Sequence, residues 1–96
     1  MKEHSLNFPQ EYEEYEKEVE SKGWFGDATL TYLGRRYRLN FYDPIRLAQE
    51  IESETQSGRI FFEPNLVIVR SVTRPDMESA VTQLIERGSV TSLAAE

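Results

Sequence analysis

The chain has no cysteine, and among its 96 residues it has a single histidine, a single tryptophan and four prolines. Lack of cysteine excludes disulfides, thiolate metal sites and cysteine nucleophiles, and it is compatible with a reducing cytoplasm, the location expected here. The one histidine, His4, lies almost at the start of the chain, so no Ser-His dyad can be held in a rigid cleft. A metal site would have to be built from oxygen ligands alone. Glu50 and Glu54, four residues apart on a predicted helix, are the nearest thing to one, and a solvated helix face accounts for them. No cofactor is expected. The chain has no P-loop, no G-x-G-x-x-G and no G-x-S-x-G. Its longest apolar run, Leu66-Val67-Ile68-Val69, suits a strand and is far too short to cross a bilayer. Met1 to Ser5 runs on toward acidic residues without an apolar stretch, so neither a signal peptide nor a membrane anchor is expected.

Hydrophobic residues make up 39% of the chain and aromatics 11%, enough for one modest core in a domain of this size. The net charge of −6 is unevenly placed. Residues 1–22 hold seven Glu against three Lys, a balance of −4. All eight Arg lie at position 35 or later, and residues 23–96 come to −2. An acidic segment thus leads into a nearly balanced body that uses only Arg as its cation. A field of this sign repels nucleic acid and anionic membranes.

Pro9 to Ser21 is predicted as a helix, with Pro at its start and Gly23 at its end. Tyr12, Tyr15 and Val19 form a narrow apolar stripe between glutamates. Asp27 to Tyr42 is predicted as a β-hairpin turning at Gly34-Arg35, with Tyr32 opposite Tyr37 and Leu30 opposite Leu39. Ala28, Leu30, Tyr32, Tyr37, Leu39 and Phe41 then share one face; Thr29, Thr31, Leu33, Arg36, Arg38 and Asn40 share the other. Asp43-Pro44 caps a second helix, whose buried side is read as Ile45, Leu47, Ala48 and Ile51. A second hairpin is expected from Arg59 to Val72 about Pro64-Asn65. It sets Ile60 and Phe62 toward the core and pairs Arg59 with Arg70 on the opposite side. The last helix follows Thr73, with Met77, Ala80, Val81, Leu84 and Ile85 as its apolar stripe and Gly88 at its end.

These elements predict an α+β fold: a four-stranded antiparallel sheet from two β-β-α units, both helices on one face, preceded by an acidic N-terminal helix. The single domain is expected over 9–88, with flexible ends at 1–8 and 89–96.

One sheet face is then bare and carries the functional expectation. Leu33, Arg36, Arg38, Arg59, Phe61, Leu66, Ile68 and Arg70 all fall on it, mixing apolar groups with guanidinium groups where a polar surface is ordinarily found. Arg59 directly opposite Arg70 calls for an anion between them. Something apolar and acidic should cover this face, and the stripe of Tyr12, Tyr15 and Val19 matches that description. The expected function is a non-catalytic interaction domain that engages a protein partner or a second copy of itself. The alternative is a small anion- or metabolite-binding protein, or an enzyme, using the sheet arginines. Nucleic acid is disfavoured, because the chain is acidic, lacks an RNP-like motif and offers one aromatic on that face.

Overall fold

Alternation of apolar and polar residues along 28–41 builds the centre of the molecule. The computed structural model describes residues 3–96. Strands β2 (Trp24–Tyr32) and β3 (Arg35–Tyr42) form an antiparallel hairpin. Ala28, Leu30, Tyr32, Tyr37, Leu39 and Phe41 are all buried on one side of it, as the alternation requires. The pairing differs from the expected one by two residues: Leu30 faces Tyr37, and Ala28 faces Leu39. A slip of two preserves the faces, so side chains point as predicted although partners do not. The cause is the turn. Leu33 and Gly34 are its central residues, at φ 52° and φ 77°, and two positive values match the twist of the flanking strands. Beyond Ala28 the register shifts again, so that Phe25 meets Phe41 and both stay in the core.

The chain opens with a strand, and an acidic helix does not head the fold. β1 (His4–Asn7) pairs antiparallel with β2, its Leu6 opposite Leu30, within the segment expected to be flexible. Helix α1 (Tyr12–Lys22) follows it, kinked at Tyr15 and closed by Gly23 at φ 74°. A side chain on Gly23 would collide with the Asp43 carboxylate, because the end of α1 abuts the start of α2. α2 (Pro44–Gln56) begins where Asp43 accepts the Arg46 N–H at 2.7 Å.

The sheet is mixed. β4 (Leu66–Ile68) lies parallel to β3, giving the order β1-β2-β3-β4. No second hairpin forms, because Asn65 at φ 54° turns its carbonyl to the Asn40 N–H at 3.0 Å. β4 therefore bonds to β3, α2 becomes the crossover that parallel neighbours need, and residues 59–63 are left irregular. α3 (Arg74–Glu86) starts at Thr73, whose hydroxyl accepts the Asp76 N–H. A short 3-10 turn, Ser89–Ser92, then places Val90 in the core. The last residues bond as well: Glu96 N–H donates to the Arg36 carbonyl, and Ala94 exchanges two hydrogen bonds with the Asn65 amide.

The helices are not arranged as expected. Met77 and Val81 of α3 share one core cluster with Tyr12 and Val19 of α1. The Arg74 guanidinium lies 4.7 Å over the Phe8 ring, and the Tyr12 and Phe25 rings meet edge to face at 5.2 Å. α1 thus covers the same sheet face as α3, and the stripe of Tyr12, Tyr15 and Val19 does not cover the opposite face. α2 adds no residue to this cluster. Of its expected buried side only Leu47 is buried, while Ile45, Ala48 and Ile51 are exposed.

Candidate functional site

The bare side of the sheet follows from strand parity. Ser5 and Asn7 of β1, Thr29 and Thr31 of β2, and Arg36, Arg38 and Asn40 of β3 register with one another and point away from the core. Leu66 and Ile68 of β4 pair with Asn40 and Tyr42 and continue this outer face to the sheet's edge. The face therefore grades from amide and hydroxyl groups at β1, where Asn7 donates to Thr31 Oγ1 at 3.4 Å, to apolar side chains at β4.

Arg36 and Arg38 are exposed, and among the described residues neither has a carboxylate at ion-pair distance. The other two predicted arginines do not join them. Arg59 pairs with Glu54 at 2.7 Å at the end of α2. Arg70 pairs with Asp76 at 3.2 Å at the start of α3. Each carboxylate holds its guanidinium charged, and Asp76 is in turn held below the usual carboxylate range by the Ser71 hydroxyl and by Arg70. Arg59 therefore does not stand opposite Arg70 across a hairpin, and no anion is called for between them. Leu33 sits in the hairpin turn and is well exposed.

Phe61 is half-buried, its ring 6.0 Å from that of Tyr42 and nearly perpendicular to it. Trp24 lies on the other side of Tyr42 at 6.4 Å. The Tyr42 hydroxyl donates to Glu63 Oε1 at 3.1 Å. Burial, with this carboxylate second, pushes the Tyr42 phenol up to about 12. Phe61 thus acts as an anchor that fixes residues 59–63 on Tyr42.

Its neighbours were misread from sequence. Ile60 and Phe62, predicted to face the core, are 81% and 75% exposed, and Ile45 of α2 is 73% exposed. With Ile51, Leu66 and Ile68 they form six large apolar side chains open to solvent between positions 45 and 68. One signal in the sequence was available: Ile60-Phe61-Phe62 is apolar at every position, so whichever phase the segment adopts, one apolar side chain or two must face outward. Glu50 and Glu54, the candidate cation pair, are each taken by an arginine, Arg46 and Arg59. Among the described residues no three His, Asp or Glu side chains converge on a common point. No helix among them is long and apolar enough to cross a membrane. What the surface offers chemically is exposed apolar side chains, with the guanidinium groups of Arg36 and Arg38 on the same outer face as Leu66 and Ile68.

No family model, no curated protein and no solved structure matches this chain.

Proposed function

We propose that this protein is a small, non-catalytic interaction domain. Its contact surface is the apolar region formed by Ile60, Phe62, Leu66 and Ile68, extended by Ile45 and bordered by Arg36 and Arg38. One observation carries the reading: six of the eight large apolar side chains that stay in water lie on one stretch of the chain, between positions 45 and 68. Exposed apolar patches of this kind mark places where another protein removes the water. Apolar centres with arginine at their borders are also typical of protein contact surfaces.

The alternative, an anion or metabolite site using the sheet arginines, is weakened because Arg59 and Arg70 pair with separate carboxylates, which leaves only Arg36 and Arg38 for it. The test is a double substitution, Ile60→Ser with Phe62→Ser, at side chains that touch little in the free protein. Circular dichroism and melting should be unchanged, while stable complexes measured by light scattering or by affinity capture should be lost. A double variant that assembles like the parent chain would reject this surface.

A further inference from the structure

We infer that the surface is completed by a second copy of this chain, joined through β4 across a two-fold axis. This rests on the interaction reading above and names its partner. β4 is an edge strand, and its hydrogen-bonding parity is fixed. The Asn65 carbonyl and the Val69 N–H both bond inward to β3, at 3.0 and 2.9 Å. Alternate residues of a parallel edge strand face the same way, so Val67 also bonds inward, and Leu66 and Ile68 turn their N–H and C=O groups outward. Among the described residues no strand takes them. Nor does β4 carry the lysine, proline or bulge with which edges are commonly blunted.

A second β4 laid antiparallel on this edge fits in one register. Centred on Val67, it sets Leu66 opposite the second copy's Ile68 and the reverse, so all four outward N–H groups find carbonyl partners. Centred on Leu66, it would set Pro64, which has no N–H, opposite Ile68. Centred on Ile68, it would need Arg70, beyond the strand's end, opposite Leu66. Leu66 and Ile68 of the two chains then cover one another on the outer face. On the core side, an open groove of about 440 Å³ runs between β4 and α3, lined in part by Val67, Val69, Ala80 and Leu84. A two-fold axis normal to the sheet brings the two α3 helices together over this groove. The product is one continuous sheet of twice four strands, self-complementary as a two-fold interface requires.

The chain's lack of cysteine makes the test direct. Residues facing each other on the axis in a non-hydrogen-bonded pair stand about 4.5 Å apart at Cα, within disulfide reach. Val67→Cys should therefore oxidise to a covalent dimer, while Ser53→Cys, on the exposed face of α2, should stay monomeric at the same concentration. The unaltered chain should sediment at twice its monomer mass. Ile68→Lys, at an already exposed position, should raise the dimer dissociation constant about a hundredfold while keeping the monomer's circular dichroism. An unaltered chain that remains monomeric at high micromolar concentration overturns the proposal, as does a Val67→Cys chain that crosslinks no faster than the Ser53→Cys control. If that happens while Ile60→Ser/Phe62→Ser still abolishes binding to a different protein, the interaction reading stands and only the second copy is excluded.

Discussion

Residues 4–42 and 69–93 supply every fully buried member of the main core cluster, and from residues 43–68 only the half-buried Val67 packs against it. The same middle segment holds six of the eight large apolar side chains that remain exposed. Isoleucine, leucine, valine and aromatics together make up about a third of each region, so overall apolar content does not separate them. Arrangement does. In the first region β2 and β3 alternate over 28–41, and α1 and α3 each bring one stripe to the face that alternation creates. In the second, α2 is a crossover anchored by Leu47 and its cap, and 59–63 is an irregular segment anchored by Phe61. A chain of this length has the surface to build one core, and the middle segment was left outside it.

The sharpest test of this contrast is to truncate one apolar residue from each region. Leu30→Ala, at a fully buried site, should cost about 3–4 kcal/mol in denaturant unfolding. Phe62→Ala, a larger truncation, should change stability by less than about 0.5 kcal/mol. Comparable losses at both sites would erase the distinction between core and contact surface.

Asn65 stitches the two regions together, since its amide group bonds to the Arg38 carbonyl and to both polar groups of Ala94. Its backbone also sits at φ 54°. Asn65→Ala removes those bonds and strains the backbone, for an expected loss of about 2–3 kcal/mol. Asn65→Gly tolerates the φ value and should lose roughly 1 kcal/mol less. Equal stability of the two variants would show that the left-handed backbone is unimportant here.

A smaller effect of opposite sign is expected inside the core. The Tyr12 hydroxyl is buried with no hydrogen-bond partner among the described residues, and burial pushes its phenol up, with Glu16 adding to the shift. Tyr12→Phe relieves an unsatisfied group and should stabilise by about 1 kcal/mol, raising the melting temperature by about 4–8 °C. A destabilised Phe variant would reveal a partner for that hydroxyl.

A pH dependence is expected where the two regions meet, at the contact of Tyr42 with Glu63. Tyr42 ionises near 10 when unfolded and at about 12 when folded, so its neutral form is favoured by folding. Stability from this source is complete below pH 10 and is lost as pH rises through about 12. Tyr42→Phe should lack that loss between pH 10 and 12, as seen by comparing unfolding curves of the two chains. Parallel curves would show that the Tyr42–Glu63 contact does not bias folding.

Faces were legible in the sequence, and partners were not. Period-two alternation over 28–41 assigned each side chain to the core or to solvent because parity survives a slip of two residues, even though Leu33-Gly34 and not Gly34-Arg35 made the turn. The caps Asp43 and Thr73 were equally readable, since each hydroxyl or carboxylate meets an N–H only three residues away. The region 59–72 was misread, because a two-residue turn at Pro64-Asn65 serves a hairpin and a crossover equally well. Of the predicted contact residues, Arg36, Arg38, Leu66 and Ile68 share the outer face. Phe61 became an anchor against Tyr42, Leu33 a turn residue, and Arg59 and Arg70 partners of Glu54 and Asp76.

By itself, then, the order of residues determined what depends on near neighbours: strand phase, helix starts, the acidic lead and the lack of any thiol. Tertiary structure alone decided that β4 runs beside β3 in the same direction, that α1 joins α3 over the core, and that Ile60 and Phe62 remain in water. Those outcomes turn on which distant backbone groups Asn40 and Tyr42 bond to, a competition between alternatives that local pattern leaves equal.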